Sequence, residues 1–403
     1  MTIPPERPSL RRLNIHYALM QTGYWAMYAS ICAYQTALLL ERGFTNSQVG
    51  IIGAARCLAG ILSQPVIGSF ADRHPSIPLK VIFSISMGLS FCVGLSLIFF
   101  PLGMGGTLLI FALLGGLEIS AYPLMDSMAI QFINDGAPIR YSLGRGIGSL
   151  SYGIVGLFLG LQATRWGLES TLITHSILEL AELVIVALYP TYRAKPPQKD
   201  TQAPQPQSAF SLLRSQPVFS LMLLASFFGL TGLLPLSIFL VNVVVGRGGT
   251  NANMGVALFL MASSELPTAF IFSRLKRKFG SARLLCISMA MSAVKALAFL
   301  LAGSLPLLLL AQPIQMLSYG LFTPSAVFFV NESVPEADRV KGQSLMMVAS
   351  NGLGGVLGSA LAGRVLDLGG VNTMLIFCVA CCLIATGLSA LAARSSPHPK
   401  DAY

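Results

Sequence analysis

Long apolar runs follow one another along almost the whole chain, separated by short polar breaks, and that alternation decides what the chain can fold into. A helix takes about 20 predominantly apolar residues to cross a hydrocarbon core of ~30 Å. Twelve such runs can be read, at 14-40, 47-70, 80-101, 105-131, 143-162, 171-190, 217-245, 253-273, 283-303, 305-330, 343-363 and 371-393. Composition agrees: 54% of the residues are hydrophobic and 10% are charged, against roughly 25% charged in a soluble domain. The first run is long and carries Trp25, Tyr28 and Gln35, unlike a secretory signal, so it is expected to stay as the first helix.

The formal charge of +10 raises a nucleic-acid partner, but the distribution of the basic residues excludes it. They fall on alternate loops. Nineteen lie on one side, among them Arg7, Arg73, Lys80, Lys195, Lys199, Lys276 and Lys400, and Arg42, Arg165, Arg247 and Arg364 lie on the other. The rule that basic loops stay inside then puts both termini in the cytoplasm of a cell whose inner membrane holds the chain.

A polar stretch rich in Pro, Gln and Lys cannot bury a core and divides the chain into a six-helix bundle at 1-190, a cytoplasmic linker at 191-216 and a second six-helix bundle at 217-403. The halves repeat: Pro65 to Arg73 with Ile85-Ser-Met87 matches Pro267 to Leu275 with Ile287-Ser-Met289 at a constant offset of 202. Glycines crowd the fifth and eleventh runs, where small residues let backbones approach. Gly144-Arg-Gly-Ile-Gly therefore reads as helix packing, since no strand precedes it as a dinucleotide loop requires. All seven cysteines lie in apolar runs, and Cys378-x-x-Cys381-Cys382 lacks the second pair or His cluster of a zinc site. The reading calls for no cofactor and no metal.

At this point the residues are specific enough to compare with a family. Gly50-Ile-Ile-Gly-Ala-Ala to Gln64-Pro65-Val-Ile-Gly68-Ser-Phe-Ala-Asp72-Arg73 resembles the second helix and following loop of major facilitator transporters, in particular the lactose permease branch with its sugar, aromatic-acid and nucleoside permeases. The resemblance implies an all-α membrane protein of twelve transmembrane helices in two pseudo-symmetric bundles, with Asp72 and Arg73 in a gating loop. Pro75, Ser76 and Pro78 replace the usual glycine and first basic residue of that loop. Pro123-x-x-Asp126 and Arg145-x-x-Gly148-Ser149-x-x-Tyr152 resemble the branch's acidic sugar ligand, its paired arginine and its stacking ring. Glu265, followed by Lys295 on the next helix, resembles an acidic substrate residue and a buried cation. The family's proton relay is not preserved: Tyr319 and Phe322 stand before Pro324 in place of a His and a Glu.

Read from the residues, the charges inside apolar runs need partners or an aqueous cavity, because each costs at least ~2.5 kcal/mol in hydrocarbon. They are Arg56, Glu118, Asp126, Arg145, His175, Glu179, Glu182, Glu265 and Lys295. Glu118, Tyr122 and Asp126 recur at four-residue spacing, which turns them to one side, taken as the cavity side. Asp126 and Arg145 read either as solute ligands or as a packing ion pair. Arg56 and Lys295 read as charge-pairing or proton-coupling groups. His175, Glu179 and Glu182 share one helical face that suits a proton path, a charge cluster or an interface. The stripe Tyr17, Gln21, Tyr24 and Tyr28 suits a polar solute with apolar faces or ordinary packing, and Gln312, Gln315 and Tyr319 offer neutral hydrogen bonds in the second half.

Together these readings predict a monomeric secondary transporter in a lipid bilayer, moving a small sugar- or nucleoside-like solute by alternating access, with protons as the coupling ion. Proton-coupled efflux of a drug or metabolite is the alternative; the absence of proline from Gly153-Ile-Val-Gly-Leu-Phe-Leu-Gly160 favours uptake. No His-Glu-x-x-His, Gly-x-Ser-x-Gly or Walker loop supports an enzyme. Reporter fusions at Ser208 and after Tyr403 should both report the cytoplasm, and an external signal at either would overturn the orientation.

Overall fold

The computed structural model describes residues 9–192 and 208–395, so most of the 191-216 linker, and Arg7, Lys195, Lys199 and Lys400 of the charge count, lie outside the described residues. Among the described residues every regular element is a helix. The main ones in the first half are α1 (Leu10–Cys32), α2 (Asn46–Arg73), α3 (Leu79–Phe99), α4 (Met104–Asn134), α5 (Tyr141–Trp166) and α6 (Ser170–Leu188). In the second half they are α7 (Pro217–Ile238), α8 (Asn251–Ser264 and, after a bend, Leu266–Phe279), α9 (Ser281–Leu301) and α10 (Leu305–Ser333), followed by α11 (339–369) and α12 (371–394).

Nine helical stretches among the described residues are long and apolar enough to cross a membrane, or ten with the bent α8 taken as one span, against the twelve expected. Two local features account for much of the difference. α1 carries Arg11, Arg12, Asn14, His16 and Gln21, and it breaks at Ala33 and Tyr34 before a short helix, Gln35–Glu41. The last apolar stretch, Glu336–Arg394, runs for 59 residues, which as one straight helix would extend roughly 90 Å. Gly370, at φ 75°, breaks it in a conformation that glycine adopts without strain. Gly358 and Cys378, on either side, both meet α7 at Thr231 and Gly232, so the chain turns back there. The repeat is visible in the helices too: α9 has the bounds of α3 shifted by 202 at both ends.

The halves meet tightly at the arginine-poor end, that of Arg42, Arg165, Arg247 and Arg364. The Asp367 carboxylate accepts from the backbone nitrogens of Asn46 (3.1 Å) and Ser47 (2.7 Å), the first turn of α2. A helix N-terminus offers unpaired N–H groups and a positive dipole end, so a carboxylate from the other half is well placed there. Thr45 and Gln48 complete a capping box beside it. Glycines bring the backbones together: a Cβ on Gly50 would strike the Ser359 carbonyl, and one on Gly160 would lie 2.5 Å from the Asn251 carbonyl and 2.7 Å from the Tyr34 hydroxyl.

The apolar core follows the same pattern. At the arginine-poor end one cluster joins Ile31, Leu38 and Val49 of the first half to Leu236, Leu258 and Leu366 of the second. Toward the basic end the clusters separate, one around Tyr17, Met87 and Met125 and the other around Phe219, Met289 and Phe329. Along α2, Ile61 still meets Gly352, whereas Leu62 and Val66 are exposed and Gly68 faces open space. Along α2 the contact with the second half thus ends past Ile61, whereas α5 stays against α8 as far as Gly146 and Leu266.

Gly160→Val should wedge α5 from α8 at the arginine-poor end, at a cost of ~1–3 kcal/mol. In a background without the seven native cysteines, labelling of Ser47→Cys by a membrane-impermeant maleimide should rise severalfold. Unchanged labelling and melting would show that the seam does not depend on this contact.

Candidate functional site

Three helices of the first half converge on Asp126. From α1, Gln21 Nε2 donates to Asp126 Oδ1 at 2.9 Å and the Tyr17 hydroxyl donates at 3.3 Å. From α5, Arg145 Nη1 stands 3.5 Å from Oδ2. The pair keeps access to solvent, with side-chain exposures of 14% for Asp126 and 31% for Arg145. Arg145 Nη1 itself is buried and makes no hydrogen bond among the described residues. Its guanidinium lies over the Tyr122 ring, 4.8 Å from the centroid, and reaches toward Trp25. Trp25 meets Tyr122 and Tyr152 edge-on, and its Nε1 donates to Gln21 Oε1 at 3.1 Å. Gly144 and Gly148 allow the approach of α5 to α1, since a Cβ there would strike Tyr17 and Trp25.

The second half contributes a buried chain of polar groups. Lys295 Nζ on α9 donates to Gln315 Oε1 at 2.6 Å, and Gln315 Nε2 donates to Glu265 Oε1 at 2.9 Å. Glu265 sits at the bend of α8, and Gln315 lies in a tight turn of α10, Gln312–Met316, that aims its amide between the two charges. Tyr319 donates to Asn351 Oδ1 on α11 at 3.3 Å. Glu265 and Tyr319 lie within electrostatic range of Arg145, which relates the two halves across the space between them.

Glu118 departs from the sequence expectation. Gly115–Ile119 forms a wider i→i+5 turn within α4, which rotates Glu118 away from the face of Tyr122 and Asp126. It is fully buried inside the first half: Arg56 Nη2 donates to its Oε2 at 2.7 Å and Ser90 to its Oε1 at 3.3 Å. Arg56 also donates to Gln35 Oε1 and lies over the Tyr28 ring. Tyr24, stacked on Tyr28, donates to the Glu118 carbonyl. Glu118, His175 and Glu179 bring potential metal-ligating atoms within 4.8 Å of one another. Asp72 and Arg73 are exposed at the end of α2. Cys378, Cys381 and Cys382 pack against Gly232.

Sequence reasoning passed over Trp25 as a binding group, and Tyr141 and Asn351 altogether. Tyr141 stacks on Tyr17 and precedes Arg145 by four residues, a spacing that could have drawn attention to it. Asn351 lies in a wide turn, Val348–Gly354, whose facing direction no periodicity reveals.

With this geometry in view, comparison with known proteins is informative. A family model described as the MFS_1 like family matches residues 10–379. The chain belongs to this family of major facilitator transporters. A maltose permease of Geobacillus stearothermophilus is 23% identical over 388 residues, covering 94% of this chain and 93% of the permease. An uncharacterized transporter of Bacillus subtilis, YwbF, is 23% identical over 359 residues, with 87% of each covered. Among solved structures, the nucleoside transporter NupG has the same fold, with a TM-score of 0.77 at 14% identity over 96% of this chain and all of NupG. A bacterial homologue of the lysosomal transporter Spinster, solved inward-facing and unoccupied, gives 0.69 at 15% identity over 96% of this chain and 98% of its own. The chain is thus an integral membrane transporter of a small solute, and not an enzyme.

Gln315→Leu should leave the Lys295 ammonium buried without its acceptor, a loss of ~3–5 kcal/mol. Adding Lys295→Met should recover much of the lost melting temperature in detergent. If the single change melts like the wild type, the polar chain does not stabilise this half.

Proposed function

We propose that this transporter carries a sugar- or nucleoside-like solute across a cell inner membrane by alternating access, in symport with protons. It acts as a monomer of twelve crossings, with bundles at 1-190 and 217-403 and with both termini and the 191-216 linker in the cytoplasm. Asp126 accepts hydrogen bonds from the solute, Arg145 holds that carboxylate and donates a bond of its own, and Tyr152 and Trp25 cover an apolar face. Glu265 and Tyr319 approach from the second half. Tyr24 and Tyr28 back the aromatic wall. Gln315 orients Glu265, while Lys295 and Arg56 balance charge away from the solute, and Asp72 and Arg73 act at the gate.

The observation that carries this reading is the half-open Asp126–Arg145 pair beneath aromatic rings. The other membrane charges described above are deeply buried or held in a polar chain, whereas these two side chains keep partial exposure and the buried Arg145 Nη1 has no hydrogen-bond acceptor among the described residues. A carboxylate and a guanidinium can share the hydroxyls of a polyol, and aromatic rings suit the flat faces of sugar or base rings. A maltose permease among the relatives and a nucleoside transporter of the same fold support that chemistry. The separated cores at the basic end suit a state open to the cytoplasm.

The test uses thermal shift with maltose and with uridine, since a ligand of the folded state raises its melting temperature. Asp126→Asn and Arg145→Lys should each abolish the shift while the protein still purifies folded. Normal affinity in the double neutral variant, Asp126→Asn with Arg145→Gln, would show that the pair only fixes packing.

A further inference from the structure

His175, on α6 deep in the first half, stands between two carboxylates with its bare nitrogen toward them. Its Nδ1 lies 3.2 Å from the Met27 carbonyl and 3.2 Å from Ser30 Oγ. The carbonyl can only accept, and Ser30 already donates its hydroxyl proton to the same carbonyl at 2.6 Å. With the Ser30 hydroxyl turned to that carbonyl, the Nδ1 contacts are satisfied when Nδ1 carries the ring hydrogen. Nε2 then turns a lone pair toward Glu118 Oε1 at 3.4 Å and Glu179 Oε2 at 3.5 Å. Acceptor faces acceptor where no side chain is more than 2% exposed. Nε2 has no hydrogen-bond partner among the described residues, and the Glu179 carboxylate faces only the Ser90 hydroxyl, which makes no well-formed bond to it. Buried polar groups are not left in that condition without a reason, and one proton removes the conflict.

Charge decides what fills the gap and where it goes. Glu118 already has the Arg56 guanidinium at 2.7 Å, and the one Ser90 hydroxyl hydrogen lies between the two carboxylates, so the carboxylate without a cation is Glu179. With Arg56 positive and Glu118 negative, a proton on Glu179 makes the group neutral. A divalent ion among the same ligands would instead leave a net positive charge beside a guanidinium in a dry site, and imidazole is a poor ligand for hard monovalent ions. The neighbouring elements bring Tyr24, Ser30 and Cys32 from α1, Ser90 from α3 and Arg56 from α2, none of them a further carboxylate.

We propose that Glu179 and His175 form a proton-binding site inside the first half, separate from the Asp126 site, in which protonated Glu179 donates to His175 Nε2. Release breaks the Glu179 O–H bond, leaves a carboxylate beside Glu118 and sends the proton along α6. Glu182 lies about one helical turn nearer the basic end, and neither its oxygens nor the buried Tyr189 hydroxyl that follows has a hydrogen-bond partner among the described residues. The site also touches the seam between the halves. Gln35 accepts from Arg56 and packs near Gly53, at the point where Ser359 of α11 closes on α2. A change of charge at Glu179 therefore acts on Arg56, and through it on the contact that must open during transport. This coupling role rests on the proposed transport; the bound proton does not.

Infrared spectra of the reconstituted protein at neutral pH test the proton itself. Glu179→Gln should remove the carboxylic-acid carbonyl absorbance of one group per molecule, and undiminished absorbance in the folded variant overturns the proposal. Nitrogen NMR of histidine-labelled wild type provides a test that needs no variant: His175 should be the Nδ1–H tautomer with Nε2 accepting, and an Nε2–H tautomer overturns the proposal. So does a stoichiometric divalent metal that copurifies with the wild type and is lost from Glu179→Gln. In vesicles with maltose or uridine as the probe, Glu179→Gln should lose accumulation driven by a proton gradient and keep solute exchange. If the wild type moves neither probe, the transport reading fails while the spectra still decide the proton site.

Discussion

A charge in hydrocarbon must be answered by another charge, by hydrogen bonds or by water, and the interior of this protein is arranged around how each charge is answered. Arg56 and Glu118 answer one another at 2.7 Å with no solvent access. Lys295 and Glu265 do so through the amide of Gln315, a neutral group that donates to one and accepts from the other. Asp126 and Arg145 are different, since part of their environment lies outside the protein. The helices that carry these groups must keep their faces in register for any of this to hold, so the same contacts that cancel charge also fix how α1, α2, α4, α5 and α6 pack.

The join between the halves uses another economy of polar groups. An α-helix begins with backbone N–H groups that nothing inside the helix satisfies. α2 obtains its acceptor from Asp367, on the opposite half, and Asn46 reaches Asn242 as well. Such bonds are strong while formed and are readily replaced by water when they part, unlike an apolar interface. Glycines keep the backbones close enough for those bonds, and the shared apolar core is confined to the same end. That end of the molecule is therefore closed both by polar contacts that water can replace and by a shared apolar core.

Much of this was legible in the sequence, for reasons that also mark where legibility stopped. Apolar runs and the 202-residue offset reflect bilayer thickness and an internal repeat, and α3 and α9 keep that offset at both ends. The neighbourhood of Asp126 and Arg145 followed from a family likeness, and the distance between them is in the structure. Glu118 was misplaced because the four-residue spacing to Tyr122 assumes an unbroken α-helix, and the wide turn at Gly115–Ile119 adds a residue to the count. That turn lets Gly115 lie against the Arg56 backbone, a tertiary contact that leaves no periodic trace. Gln315 is similar: only the tight turn at Gln312–Met316 sets its amide between Lys295 and Glu265. Nine or ten stretches among the described residues meet the length and hydropathy needed, against twelve expected, because α1 gives up apolar residues for Tyr17, Gln21 and their neighbours and because Glu336–Arg394 runs as one stretch.

The contrast between the two ion pairs of the first half bears on which of them can respond to a solute. Arg56 Nη2 donates directly to Glu118 in a site closed to water, so separating them would expose two bare charges to hydrocarbon, at a cost of several kcal/mol per ion. Arg145 and Asp126 stand 3.5 Å apart without a direct hydrogen bond through Nη1, and both side chains keep partial exposure. Their separation costs far less, and Gln21 and Tyr17 continue to hold the carboxylate when the guanidinium turns away. A hydroxyl arriving between them finds an acceptor on one side and a donor on the other. Of the two, the open pair is the one that the proposed solute binding would rearrange, while the closed pair, Arg56 with Glu118, ties α2 to α4.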